Sequence, residues 1–500
     1  MTSHTEHPRS GGDPTLPTGR RKPGTVYLVG AGPGHPGLLT LRGVECLKKA
    51  DLVLYDYLAN PSLVEHARPG AELVRLGHHN GGPRLTPNQI TAAMVEGALA
   101  GRCVVRLKGG DPAIFGRLAD ETEALRKLDI PYEVVPGITS GLSIAAFAEV
   151  PLTHHDDASA VALVTGRERS GKEESNLDYR ALAAFPGTLV FYMGVRGVAR
   201  WSGALIEHGR APDTPVAIVR WCSRARQQTV RCTLETVTEV VESHNVRPPA
   251  LFVVGKVVAH SPSLSWFQSR PLFGATVLVA GSAGTSARLR EQLAEQGAEV
   301  IVQPAIRVVD PPDWSAVDAA VDRIGEYDWL VFSSPNGVEG LVRRVFDQGG
   351  DARRLSGPQM VALGSGTADR LEAYHLRPEI VPEIFRPTQL ASQLVPDGER
   401  PRCLIVRGLQ DQSALTEELE AFGAQVDEVV VYDTAEVETA DPDVALALVE
   451  GEIDWVAVTS AATARSLSRL YGDRLATARI AAISPLTAKA LRGLGLEPAT

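Results

Sequence analysis

The sequence predicts an α/β protein in two parts. Three observations predict it: short β-branched runs alternating with amphipathic segments, one Ser/Pro-rich interruption, and an internal repeat beyond that interruption. The alternation begins at Thr25. VYLVG reads as a strand, LLTLRGVECLKKA as a helix, DLVLYD as the next strand, and RCVVRLKG followed by ETEALRKL as a further strand and helix. The pattern pauses around Ala259 at HSPSLSWFQSRPLFG, where Trp266 and Phe267 are candidate docking anchors, and a new run, ATVLVAG, begins at Ala275. The boundary is placed near Ser269, giving parts of residues 25–268 and 269–500. Residues 1–24 lack an apolar core and read as a disordered tail, neither signal peptide nor anchor.

A chain of 500 residues has room for about three domains at roughly 100 to 200 residues each. Within the second part, TVLVAGSAGTSARLREQLAEQGAEV echoes CLIVRGLQDQSALTEELEAFGAQV, with Gly297 and Gly423 126 residues apart. Asp328 and Asp454 share that offset of 126, and Thr367 and Thr487 are offset by 120. Two similar α/β lobes follow, too few and too long for a solenoid.

Composition narrows the function classes. Hydrophobic residues at 44% and charged residues at 22% exclude a fibrous or mostly disordered chain. A net charge of -10 disfavours non-specific binding to nucleic acid or anionic membrane. No apolar run approaches the ~20 residues that span a bilayer, so no membrane partner is expected. The five cysteines, Cys46, Cys103, Cys222, Cys232 and Cys403, form no CxxC, which points to neither a disulfide framework nor a thiolate zinc site but to a reducing cytoplasm.

GAGPGHPG, Gly30 to Gly37, follows a strand and precedes a helix, inviting a dinucleotide reading. The register opposes it: the fingerprint requires Gly where His35 stands, and Pro33 and Pro36 remove amide donors. Asp56, 26 residues after Gly30, sits near where a ribose-binding acid belongs, so an NAD-binding oxidoreductase fused to a small-ligand module is kept as the alternative. RLKGGDPAIFGR, Arg106 to Arg117, ends a strand in a turn that brings backbone N–H groups close to a ligand, with Asp111 as an acceptor.

Taken in order, VGAGPGHPGLLTLRG, DLVLYDYLANPSL, VVRLKGGDPAIFGR, VVPGITSG, VPLTH, LVFYMG and PALFVVGKVV resemble the S-adenosylmethionine-dependent uroporphyrinogen-III C-methyltransferases of the tetrapyrrole methylase superfamily, over about Thr25 to Phe267. The resemblance implies a two-lobed fold whose cleft holds S-adenosyl-L-methionine. It implies that Pro33, Gly109, Gly110, Asp111, Ile114, Thr139, Ser140 and Met193 contact this cofactor, that Asp56 accepts a proton, and it admits a homodimer through this part. Methyl transfer from a sulfonium to a pyrrole carbon is an in-line displacement, so catalysis is mostly alignment, with one carboxylate near the pyrrole N–H groups as base. Several positions depart from the family pattern, among them FGRLADE, which replaces a Gly-Gly-Glu-Glu run. His78, in the proton-donor position, and His79 replace a Lys-Arg pair, His155 replaces an Arg, and Cys222 stands where a cofactor-contacting Gly is usual. Imidazoles in place of permanent cations weaken carboxylate binding above a pKa of about 6.5. Adjacent side chains of an extended segment point to opposite faces, so each His pair offers at most one ligand and no metal site is expected.

Four hydroxyl-rich turns in the second part each precede a helix: SSPNGV with Ser333, Ser334 and Asn336; GSGTA with Thr367; TSAAT with Thr459 and Ser460; SPLTA with Thr487. Each is expected to be a helix N-cap whose free N–H groups attract anions, suiting a ligand with several carboxylates at the carboxyl ends of strands. DWLVFSSPNGV, LIVRG, GAQV followed by VVVYDT, DWVAVTS and SPLTA resemble uroporphyrinogen-III synthase over about Gly274 to Pro498. That resemblance implies two flavodoxin-like lobes joined by a two-stranded ladder, with Ala275 to Pro304 packing into the lobe of the last third. Tyr432 falls at a position assigned to water departure, and Ala280 and Gly281 replace a usual Thr-Arg. The combined expectation is a bifunctional enzyme, lyase and methyltransferase, that cyclises hydroxymethylbilane to uroporphyrinogen III and methylates it at C2 and C7 to precorrin-2 for sirohaem or cobalamin. The alternative within this reading is an active synthase whose methyltransferase half is a scaffold.

Overall fold

The structure, a computed structural model, describes residues 22–77, 85–168, 176–281, 283–410 and 414–500. His78, His79 and residues 1–21 of the expected tail lie outside the described residues. Two compact units form: one reaches Thr276 and takes in Leu293–Glu299, and the other comprises Val277–Gln292 and Val300–Thr500.

The first unit carries two sheets. Strands β1 (Val26–Gly30), β2 (Leu52–Tyr55), β3 (Glu72–Arg75), β4 (Val104–Lys108) and β5 (Tyr132–Val135) form a parallel sheet in the order β3-β2-β4-β1-β5. Apolar side chains on both faces require cover on both sides. Helix Leu41–Lys49, capped by Thr40, covers the face of Val29, Val53 and Leu107, and helix Pro87–Leu99, started by a Thr86/Gln89 capping box, covers that of Leu28 and Leu54. Strands β6 (Val161–Thr165), β7 (Thr188–Tyr192), β8 (Pro215–Arg220), β9 (Gln228–Thr233) and β10 (Ala250–Val254) form a mixed sheet, β6-β7-β10-β8-β9, with only β6 and β7 parallel. Trp201 stacks on Phe191 at 4.3 Å in its core. The Ser/Pro-rich stretch packs onto this unit: Phe267 is buried beside Phe147, and the Trp266 indole donates to the Ala146 carbonyl at 2.7 Å.

In the second unit the repeat becomes architecture. Strands β11 (Thr276–Gly281), β12 (Glu299–Pro304), β18 (Trp455–Val458) and β19 (Arg479–Ala482) pair in the order β12-β11-β18-β19. Strands β13 (Ile306–Val309), β14 (Trp329–Phe332), β15 (Gln359–Ala362), β16 (Arg402–Gly408) and β17 (Gln425–Glu436) pair in the order β13-β17-β16-β14-β15. Under the repeat, β12 matches β17, β11 matches β16, β18 matches β14 and β19 matches β15, so the two sheets share one strand order. Matching backbone bonds agree: Gln359 N donates to Asp328 O at 2.8 Å, and Arg479 N donates to Asp454 O at 2.9 Å. The first βα unit pairs with the last third of the chain, and β13 pairs antiparallel with the second half of β17, from Ile306↔Glu436 to Val309↔Asp433. This is the expected two-stranded ladder. Among the described residues no helix is long and apolar enough to cross a membrane.

Candidate active sites

The carboxyl ends of β1, β2, β4 and β5 bring Gly30, Asp56, Gly109–Asp111 and Gly137–Thr139 together. These loops touch through bare backbone: a Cβ on Gly30 would sit 2.5 Å from the Gly137 Cα. Gly32 and Gly110 exchange backbone hydrogen bonds at 3.2 and 2.8 Å, and Gly110 needs its φ of +71° to turn there. The Asp111 carboxylate accepts from Ala113 N at 2.8 Å and Gly137 N at 3.0 Å, which pins the GGDP turn to the loop after β5.

The same geometry answers the dinucleotide reading. Ala31 N donates to Lys108 O, Gly32 N to Gly110 O, His35 N to the Ser223 hydroxyl and Gly37 N to the His35 ring. A pyrophosphate cradle needs such amides open, and here they are engaged within the protein.

Asp56 directly follows β2, with its carboxylate doubly held. One oxygen lies 2.5 Å from Arg106 Nη2 and the other accepts from Gly109 N at 3.2 Å. Arg106 also reaches Glu121 at 3.3 Å, and Glu121 pairs with Lys108 at 2.6 Å. Two cations and two carboxylates thus form a neutral chain, in which Arg106, Lys108 and Glu121 are buried and the Asp56 side chain keeps 28% exposure. Burial, and then Arg106, hold Lys108 below the ordinary lysine value. A buried unpaired charge is costly, so each member orients its neighbour, and Asp56 is the one that reaches solvent.

Around this centre the sequence-predicted cofactor residues lie on connected elements. The Thr139 hydroxyl is 2.8 Å from the Tyr192 hydroxyl, which also accepts from Gly141 N at 2.8 Å. Burial raises the Tyr192 pKa, keeping this phenol neutral. Ser140 opens the helix Ser140–Phe147, and its carbonyl accepts from the Ser143 hydroxyl at 2.7 Å. Ser143 lies 3.3 Å from the Cys222 sulfur, and burial pushes that thiol up to about 12. Pro33 is half-buried, and Ile114 packs on the cluster of Tyr192 and Cys222. Met193 and Phe115 are exposed, both at φ 54°, and Phe115 lies 4.9 Å from the Tyr192 ring. Trp221 and Ser223 also take positive φ, at 52° and 66°. Such backbone costs about 1–3 kcal/mol per residue and concentrates where a ligand is shaped.

His155 is exposed and 2.9 Å from Asp156. Its ring lies 4.2 Å from that of His154, so the pair does not splay to opposite faces as an extended segment would. The segment is a tight turn closed by an antiparallel bridge between His154 and Ala158.

In the second unit, three of the four hydroxyl turns are the expected caps. Ser334 accepts from Gly337 N at 3.1 Å, Ser460 from Thr463 N at 3.1 Å and Ser484 from Thr487 N at 3.3 Å. The GSGTA turn differs: its helix is capped by Gly364 with no side-chain bond, because that residue takes φ 159° and offers no hydroxyl. Thr367 and Thr487 are buried, Thr487 against the Ser484 hydroxyl at 3.0 Å. Ser333, Asn336, Thr459 and Ser460 are half-buried, and Thr459 donates to Ala280 O at 3.1 Å. The Tyr432 hydroxyl lies 3.0 Å from the Ser334 hydroxyl, and its ring fits because Gly408 has no Cβ, which would sit 2.6 Å away.

Sequence reading missed Arg106, Lys108, Glu121, Tyr192 and Phe115. The available signal was two charges, Arg106 and Lys108, inside the otherwise apolar strand VVRLK.

Comparison with known proteins matches these two units in turn. The family described as Tetrapyrrole (Corrin/Porphyrin) Methylases matches residues 25–238, and that described as Uroporphyrinogen-III synthase HemD matches residues 287–500. The chain is 40% identical over 335 residues to a uroporphyrinogen-III C-methyltransferase of Bacillus subtilis, covering 67% of this chain and 68% of that protein. It is 34% identical over 441 residues to the porphyrin biosynthesis protein HemD of Ruminiclostridium josui, covering 88% of this chain and 87% of that one. An S-adenosyl-L-methionine-dependent uroporphyrinogen III methyltransferase of Methanosarcina barkeri is 43% identical over 235 residues, 47% of this chain and 92% of its own. With both halves matched in order and one relative aligned along most of its length, the chain belongs to the tetrapyrrole methylase family through its first half and to the uroporphyrinogen-III synthase family through its second.

Proposed function

We propose that the second unit closes hydroxymethylbilane to uroporphyrinogen III with loss of water, and that the first transfers methyl groups from S-adenosyl-L-methionine to C2 and C7 of that product, giving precorrin-2. The observation that carries this reading is the pairing of both families in one chain, which aligns with a porphyrin biosynthesis protein over 88% of its own residues. The first unit suits the methyl donor: a glycine turn at Gly110 lets backbone approach closely, and exposed Phe115 and Met193 offer apolar surface. When bound, the donor supplies an electrophilic methyl group. The protein's part is alignment. Asp56, held by Arg106 and Gly109 N, presents a carboxylate of fixed direction that accepts hydrogen bonds from pyrrole N–H groups and takes the proton the methylated ring releases. In the second unit, Ser334 and Tyr432 place two hydroxyls together at a strand end, where Tyr432 assists departure of water from the bilane. We assign the enzyme to the cytoplasm, as a homodimer through its first unit, supplying the sirohaem or cobalamin branch.

The test is incubation of the full chain with hydroxymethylbilane, with and without S-adenosyl-L-methionine, following product isomer and mass. Isomer III without the methyl donor, and a product carrying two added methyl groups with it, are expected. Isomer I alone would remove the synthase assignment, and an unmethylated isomer III in the presence of donor would reduce the first half to a scaffold.

A further inference from the structure

The first unit brings metal-binding side chains together from two segments, the His154–Ala158 turn and the Lys256–His260 turn. We propose that His154, Asp157 and His260 form a site for one divalent transition-metal ion, with Zn²⁺ as the reference ligand. Each offers a donor atom, and all three lie within 4.8 Å of one another. The Asp157 Oδ2 is 2.6 Å from His260 Nε2 and 3.6 Å from His154 Nδ1. Those spacings bracket the roughly 3.4 Å that separates donors about 2.0–2.1 Å from a tetrahedral ion. Two imidazoles and one carboxylate are a donor set that leaves the fourth position open to water or another ligand.

The donors are held before any ion arrives. His154 and Ala158 exchange backbone hydrogen bonds, both at 3.0 Å, which closes the loop and keeps Asp157 beside His154. His260 ends the 3₁₀ turn Lys256–His260, anchored by buried Val257 and Val258. The His154 and His260 rings stack 3.9 Å apart at 14°, which holds the two imidazoles against each other. His155 and Asp156 form a second group with His154, supplying alternative donors on the exposed side. Two further imidazoles, those of His155 and His260, lie 4.2 and 3.9 Å from the His154 ring, so nitrogen donors are concentrated at this one point. Lys256 is the competing cation, since its charge reaches Asp157.

The experiment uses the full chain, freed of metal by chelation, titrated calorimetrically with Zn²⁺ and followed by Co²⁺ visible absorption. One ion per chain with micromolar or tighter affinity is expected. His260→Ala and Asp157→Asn should each weaken it by about tenfold or more, and His155→Ala by less. Thermal melts without metal establish that the variants fold, and His244→Ala, on an exposed helix end elsewhere, is the control. Absence of binding at high micromolar Zn²⁺, or binding that survives both His260→Ala and Asp157→Asn and so belongs to other histidines, would overturn the site.

Discussion

Asp56 and Arg106 form a 2.5 Å ion pair in which the guanidinium is buried and the carboxylate keeps partial access to solvent. The pair gives Asp56 a fixed direction and ties its substitution to the Arg106–Glu121–Lys108 chain behind it. Asp56→Ala should therefore cut methyl transfer at least tenfold while S-adenosyl-L-methionine affinity changes little. Its stability cost should fall below the about 3–5 kcal/mol of breaking a fully buried pair, because Asp56 is 28% exposed. Single-turnover methylation, calorimetric donor binding and urea unfolding check the three parts. Undiminished turnover would make Asp56 purely structural.

Burial raises all five thiols: Cys46 and Cys232 to about 11, Cys222 and Cys403 to about 12, and Cys103 above its ordinary value. The thiolate is the reactive form, so native chain at pH 8 should take up iodoacetamide far more slowly than unfolded chain. The rate should climb steadily between pH 8 and pH 10 with no plateau. Mass spectrometry of labelled peptides reads this, and rapid labelling of Cys222 in the folded protein would contradict its burial.

Tyr432 and Ser334 share one hydroxyl contact, and Gly408 makes room for the ring. Tyr432→Phe should lower ring closure by the second unit several-fold at a stability cost of about 0.5–1.5 kcal/mol. Gly408→Ala should cost about 1–3 kcal/mol, because its methyl overlaps the ring. Comparing closure rates with unfolding midpoints separates the two effects.

His35 is partly buried, and burial, aided by Arg270, lowers its pKa below 6.5. Between the folded and unfolded pKa values the unfolded chain binds more protons, so stability is fully present above about pH 6.5 and falls as pH drops through that window. His35→Asn keeps an acceptor for Gly37 N and should flatten this acid-side slope of the denaturation midpoint. An identical slope in the variant would show that other groups set it.

The local pattern of the chain was sufficient for the strands and helices around Thr25 to Leu107, for the repeat at offset 126 and for three serine caps, because each depends on neighbours a few residues away. Motif resemblance reached further, to the two families. The tertiary structure alone decided what those residues touch. Arg106 meets Glu121 only when β4 and the following helix pack together, and His260 meets Asp157 across 103 residues. The expectation that adjacent histidines diverge failed at His154 and His155 because a bridge to Ala158 turns the segment. Spacing in sequence sets which residues share a strand or a turn. Charge pairing, ring stacking and the use of each amide donor depend on distances that packing creates, and no local pattern encodes them.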